Sequence, residues 1–286
     1  MEKNEAIIDI ILSQVKNENS LPPLSNNSLL LQREMTKNSP DFKKIENMIK
    51  VDPTITSHVL RIANSVFYKG LEEISTVKDA IVRLGILEIN NITTWAIHQS
   101  NFQTKDPFIK GYKTKLWFHS LSCAVGSVWT AKYLDLDMKE VVSKAFVSGL
   151  LHDMGSLCLI TALEKIKTEN RIEQYPSETL IQELITKFHS EQGYKLLKYW
   201  NLPRAYYTVA RDHNIEEFDH SNLLLTLIRL IDQICHNMER GNNPKEMAAI
   251  VSSVEANILG VSEIGIAEIE IEIEASQEKF KTLFKS

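Results

Sequence analysis

Three cysteines in 286 residues, Cys123, Cys158 and Cys235, are too few and too widely spaced for a disulfide framework, and no Cys-x-x-Cys suggests a zinc ribbon. They read as reduced, buried thiols in apolar helical segments. Glycine and proline are also scarce, at 10 and 8 residues, which leaves little punctuation for the many turns of a sheet protein. No apolar run approaches the roughly 20 residues that span a bilayer. The start, Met1-Glu2-Lys3-Asn4-Glu5, lacks the basic-then-apolar order of a signal peptide, so the expected location is the cytoplasm, with no membrane partner. Basic residues are in deficit, 32 Lys and Arg against 37 Asp and Glu, for a net charge of −5. That balance argues against nucleic acid as a partner, because phosphate-backbone affinity rests on clustered cations. Lys43-Lys44 and the spread of Lys105, Lys110, Lys113 and Lys115 read as solvated faces, with room for a local patch that takes a nucleotide.

The chain has instead apolar residues recurring at spacings of three and four, 43% hydrophobic overall, which predicts an all-α protein. A first helix runs through Ile7, Ile8, Ile11, Leu12 and Val15, and is broken by the polar stretch Lys16 to Ser20 and by Leu21-Pro22-Pro23-Leu24. Shorter helices are expected over 28–37, 42–51, 53–64, 76–84 and 86–99. Asp52-Pro53 is a helix start with a mechanism: Asp accepts from the exposed amides, and Pro fits the first turn. The polar stretch 101–110, with Asp106-Pro107, is the best internal boundary. It divides a small N-terminal helical part, 1–106, from a helical bundle with a C-terminal tail, 107–286. Helices are expected over 114–134, 138–150, 177–200, 203–212 and 222–237, then a break at Gly241-Asn242-Asn243-Pro244. Residues 268–274 alternate Glu and Ile strictly, a strand period, but the flanking Ala275-Ser276-Gln277-Glu278-Lys279-Phe280 favours helix.

The strongest chemical signal is His152-Asp153, inside Gly149-Leu150-Leu151-His152-Asp153-Met154-Gly155. Adjacent side chains on a helix point about 100° apart, so both reach one ion only if it lies above the ridge between them and other helices complete the shell. His119 and Asp232 are candidates to complete it. A mixed imidazole and carboxylate set suits zinc, iron or manganese, and open positions on such an ion activate water in hydrolytic sites. The competing reading is a hydrogen-bonded buried pair ending a helix before Gly155. His58, His98, His220 and His236 read as structural or surface histidines, and Trp117, Trp129 and Trp200 as core aromatics.

A second set of motifs is longer and ordered: Asp52-Pro53 followed by Arg61-Ile62-Ala63-Asn64-Ser65, then Ala80-Ile81-Val82-Arg83-Leu84-Gly85. With Leu21-Pro22 ahead of it, this resembles the HDOD family of bacterial signalling proteins, related to HD-domain metal hydrolases. The resemblance covers about residues 21 to 235. It implies an all-helical, HD-domain-like bundle with a smaller N-terminal helical subdomain. It also implies a first metal site of His119, His152, Asp153 and Asp232, and a second site or pocket of His189, Asp212 and His213. Arg61 and Asn64 are given fold roles, Asn64 capping its helix end.

The departures bear on function. Relatives of the HD-GYP type carry a lysine shortly after the dyad and a Gly-Tyr-Pro motif; here stand Met154-Gly155-Ser156 and Gly193-Tyr194-Lys195. Losing that lysine weakens the stabilisation phosphoryl transfer depends on. Asp212 stands where related sequences carry the first of two histidines. The expectation is a non-enzymatic or catalytically degenerate signalling protein that works through other signalling proteins, with a divalent ion (Fe, Mn or Zn) as the candidate cofactor and no assigned catalytic residue. The alternative is a metal-dependent phosphohydrolase of nucleotides or cyclic dinucleotides.

Overall fold

A computed structural model describes residues 2–15, 25–37, 39–65, 68, 73–134 and 139–284. The expected break over 16–24, including Leu21-Pro22, lies outside the described residues. No strand occurs among them, and the chain divides into two compact units, one of residues 1–23 and 102–275, the other of 24–101 and 276–286. The division differs from the expected 1–106 and 107–286 at both termini. The first 23 residues go with the bundle because α1 (Glu2–Val15) turns Ile11 and Val15 onto the bundle helices α8 (Met154–Thr168) and α9 (Glu178–Tyr199).

The smaller unit holds α2 (Asn26–Met35), α3 (Phe42–Lys50), α4 (Pro53–Ala63) and α5 (Val77–Gln99) around Leu31, Ile45, Ile49, Val59 and Ile89. Asp52 caps α4 as its residue type requires: Oδ1 accepts from Thr54 N at 2.9 Å and Ile55 N at 3.1 Å. Asn64 ends the same helix and staples the loop behind it. Its amide donates to Leu60 O and Ile74 O, and its Oδ1 accepts from Ile74 N at 2.7 Å. Gly85, at φ +77°, breaks α5 internally, which is why 76–84 and 86–99 read as separate helices in sequence.

In the larger unit, α6 (Pro107–Tyr133), α7 (Lys139–Leu151), α8, α9, α10 (Arg204–Asp212) and α11 (Leu223–Glu239) form the bundle. After it in sequence come α12 (Pro244–Val251), α13 (Val254–Leu259) and α14 (Glu263–Phe284), the last belonging to this unit as far as residue 275. α6 starts seven residues before the expected 114, because Asp106-Pro107 is a second Asp-Pro start: Asp106 Oδ1 accepts from Phe108 N and Ile109 N. Periodicity assigns no helix to 154–168. α8 is apolar on nearly every face there, from Leu157 to Ile166, so no stripe marks it. Val141–Thr168 is apolar enough by length and composition to cross a membrane, with mean hydropathy 1.5 over an 18-residue window, yet 89% of that window is buried in the fold.

The alternating segment is helical. Ile266, Ile269 and Ile273 face inward at spacings of three and four, while Ile271 is 66% exposed. That register separates two otherwise identical substitutions. Ile273→Ala should cost about 2–5 kcal/mol as a large-to-small core change. Ile271→Ala should stay within about 0.5 kcal/mol in urea unfolding. In a strand the two residues would share a face, so equal losses would overturn the helix.

Candidate metal centre

The turn between α7 and α8 carries His152 and Asp153, and the glycines on either side let two other helices reach it. A Cβ on Gly149 would stand 2.6 Å from Cys123 O and 2.7 Å from the Ala124 backbone, so α6 crosses α7 at backbone distance. A Cβ on Gly155 would stand 1.8 Å from His189 O and 2.5 Å from Gly193 N, so α9 crosses α8 as closely. These crossings bring His119 on α6 and His189 on α9 to opposite sides of the dyad. His213, at the end of α10, and Asp232, on α11, complete the group.

Each of these four imidazoles has Nδ1 tied to an acceptor. His152 Nδ1–H donates to Gly149 O (2.8 Å), His189 to Ile185 O (2.7 Å), His213 to Ala210 O (3.0 Å) and His119 to Glu239 Oε1 (2.8 Å). Such bonds set the ring orientation and turn every Nε2 inward, as in metal sites whose histidines are held from behind. His119 Nε2 and His152 Nε2 are 3.3 Å apart. Asp232 Oδ1 lies 3.0 Å from the first and 3.5 Å from the second, yet it is buried without a well-formed hydrogen bond. Asp153 stands at the N-cap of α8, but its side chain makes no capping bond. It faces His189 Nε2 at 3.6 Å and His213 Nε2 at 4.0 Å instead, and accepts from Ser156 Oγ.

Two groups therefore share His152: His119, Cys123, His152 and Asp232 on one side, and His152, Asp153 and His213 on the other, each with ligand atoms within 4.8 Å of one another. The donor set fits a divalent ion of the zinc, iron or manganese kind, and the poorly satisfied Asp232 Oδ1 is the atom that most needs one. Asp212 stays outside. Its carboxylate is taken by Arg211, with Nε and Nη2 donating at 2.6 and 2.7 Å.

Four residues at the site are not assigned to it by the sequence pattern. His236 stacks on His119 at 4.6 Å with Nε2 3.4 Å from Asp232 Oδ1, and Glu239 holds His119 from behind. Both follow Asp232 at four and seven residues, on one helix face, and that spacing is the signal that could have found them. Asn214, beside His213, is the third. Cys123 also lies 3.6 Å from His119 Nε2, one turn along α6. It is buried and free, like Cys158 and Cys235, and burial pushes its thiol well up, so it stays protonated near neutral pH.

Electrostatics hold His119 charged and His213 neutral. Burial would lower His119, but Asp232 and Glu239 outweigh it and hold it well above its ordinary value. Burial would raise Asp232, and the His119 and His152 contacts hold it well below. Burial pushes His213 down to about 4, and His152 adds to the effect.

A family model for the HDOD domain matches residues 21–215. The chain belongs to the HDOD family. Among solved structures, an HDOD domain protein of unknown function from Geobacter sulfurreducens superposes with a TM-score of 0.73 at 19% identity, covering 99% of each chain. A candidate metal-dependent phosphohydrolase from Shewanella amazonensis SB2B gives 0.68 at 18% identity, covering 97% of this chain and 100% of that one. A candidate signal transduction protein from Marinobacter aquaeolei VT8 gives 0.66 at 18%, covering 96% and 66%. An uncharacterised protein of Treponema pallidum (strain Nichols) is 20% identical over 206 residues, and the match spans 68% of this chain but 37% of that relative. At these identities the structures establish a shared all-helical HDOD fold.

Two tests probe the site within this HDOD fold. Gly155→Ala should cost more than about 3 kcal/mol, because its new methyl meets backbone and cannot be relieved by a rotamer change. Gly111→Ala, with nothing within 4 Å, should gain up to about 1 kcal/mol in the same melts, and similar losses in both would dismiss the crossing as the cause. The second test uses pH. Glu239 sits at about 2, since His119 and His236 outweigh the burial that would raise it from 4.5. Its contribution is therefore complete above about 4.5 and is lost as pH falls toward about 2. In metal-free protein, Glu239→Gln should cost roughly 0.5–1 kcal/mol at mildly acidic pH, given its partial exposure. That deficit should shrink below pH about 4.5; a constant deficit would remove charge from the explanation.

Proposed function

We propose that this HDOD protein is a signalling component whose HD-type pocket binds a divalent ion and serves regulation rather than phosphohydrolysis, with other signalling proteins as its partners. The observation that carries the metal half is the common orientation of His119, His152, His189 and His213, each tied at Nδ1 and turned inward at Nε2. When bound, such an ion would supply Lewis acidity and could lower the pKa of a water ligand. His119, His152 and Asp232 would hold it.

The regulatory half rests on the three residues after the dyad. Met154 is buried in the core, Gly155 is consumed by the α9 crossing, and Ser156 donates to Asp153, so none of the three presents an ammonium group to a phosphoryl oxygen. The membership of a signal transduction protein in the same fold is in keeping with this reading.

A phosphohydrolase is the second reading, favoured by the convergence of two donor groups on one dyad. Elemental analysis of protein purified without chelator or histidine tag separates the two when paired with turnover of phosphodiester and cyclic dinucleotide substrates in manganese or iron. The expected result is stoichiometric metal in the wild type, loss of at least tenfold in His152→Ala and Asp232→Asn, and no turnover in any of them. Turnover that disappears in both variants would overturn the regulatory reading, and a metal-free wild type with intact helical content would overturn the metal site.

A further inference from the structure

On the second side of the cluster His189 stands beside His213 and Asp153, and a side-chain amide lies against two imidazoles there, which the first side lacks. His189 Nε2 and His213 Nε2 face one another at 3.3 Å. Both rings donate from Nδ1 to backbone carbonyls of their own helices, so both Nε2 atoms present lone pairs. Two lone pairs at that distance repel unless a cation or a donor stands between them. Asn214 Nδ2 lies 2.6 Å from His189 Nε2 and 2.9 Å from His213 Nε2. Its amide has two N–H groups, one for each ring. The reverse orientation would aim a carbonyl oxygen at two lone pairs, so the chemistry decides which end of the amide faces inward.

We infer that the Asn214 amide fills the second half of the cluster as a built-in substitute for a metal ion, so that the pocket takes one divalent ion rather than two. The inference rests on the metal-binding reading of the same pocket and adds to it the number of ions and the residue that sets it.

The turn that carries Asn214 is held in place. Arg229 Nη1 donates to His213 O at 2.8 Å and to Ile215 O at 2.7 Å, on either side of Asn214, and to Asp212 O at 3.3 Å. Arg229 is itself fixed, its Nε donating to Glu255 Oε1 at 2.7 Å and its guanidinium 4.0 Å over the Phe218 ring. The backbone that carries the amide is therefore held in place, and an ion arriving between His189 and His213 would have to displace two hydrogen bonds. Ser190 Oγ, 3.3 Å from His189 Nε2, offers that ring a further hydroxyl contact. The first half presents no such obstacle: among the described contacts of His119 Nε2, His152 Nε2 and Asp232 Oδ1 there is no side-chain amide.

The test compares manganese bound per chain in the wild type, Asn214→Asp and Asn214→Ala after equilibration with Mn²⁺ and removal of free ion. Electron paramagnetic resonance of the bound ion serves as a second readout. Asn214 is exposed on its turn, so its replacement does not disturb the core, and thermal melts check this. One ion is expected in the wild type, with an isolated-ion spectrum, and two in Asn214→Asp, where two donors become a ligand, with a spin-coupled pair. Asn214→Ala should also take up a second ion, more weakly. Two ions in the wild type, or one in both the wild type and Asn214→Asp, would overturn the inference and leave the metal-binding reading standing. No ion in the wild type and one in Asn214→Asp, abolished by His189→Ala, would overturn the first-half site while supporting the plug. No ion in any of the proteins would overturn both.

Discussion

Backbone meets backbone on both sides of His152-Asp153, and the cluster depends on that contact. Gly149 admits α6 and Gly155 admits α9, each at distances that no Cβ would tolerate. An imidazole reaches only a few ångströms from its helix axis, so four helices can share a cluster only if their axes approach more closely than ordinary side-chain packing allows. The dyad sits in the short turn between the two crossings. The segment Gly149 to Gly155 is thus one device: spacers at its ends, ligands in its middle, and apolar residues between that bury both helices.

Close approach creates an electrostatic problem that the second layer of contacts resolves. Four imidazoles and two carboxylates in an apolar bundle would each resist burial if unpartnered. Backbone carbonyls of α7, α9 and α10 take the Nδ1 protons of His152, His189 and His213, at residues three or four positions back on the same helix or its end. Glu239 takes that of His119 from α11. The carboxylates then meet the inward nitrogens, and the result is a first half with a protonated His119 against an ionised Asp232, beside a second half in which His213 stays neutral.

Much of this is legible in sequence, for reasons that can be located. Helices with one polar face announce themselves by spacing, and the Asp-Pro pairs at 52 and 106 use the same capping chemistry, although the second, set in a polar stretch, reads as a boundary before it reads as a helix start. α8 escapes because burial on all sides erases periodicity. In α14 the alternation of Glu and Ile suggests strand, yet only every third or fourth residue has to face the core, and Ile266, Ile269 and Ile273 meet that spacing. The site residues divide likewise. The family pattern points to the four histidines, but at the end of α10 it also points to Asp212, which Arg211 takes, and not to Asn214, whose amide meets His189 and His213. One residue of displacement along a helix end changes direction by about 100°, which no motif spacing records.

That displacement bears on what kind of protein this is. A hydrolytic pocket of this type needs ions in open coordination and a cation to balance a phosphoryl group. Here the position after the dyad delivers a core methionine, and the far side of the pocket is occupied by a tethered amide whose backbone Arg229 holds. Neither feature supplies a side-chain ammonium to a phosphoryl group, while the ring-orienting bonds of His119 and His152 are complete. Four buried imidazoles with every Nδ1 satisfied are more costly to bury than apolar residues of the same size, so the arrangement is built for what the Nε2 atoms meet rather than for packing. An ordered set of inward nitrogens without an ammonium beside the dyad is the combination that the proposed regulatory reading requires.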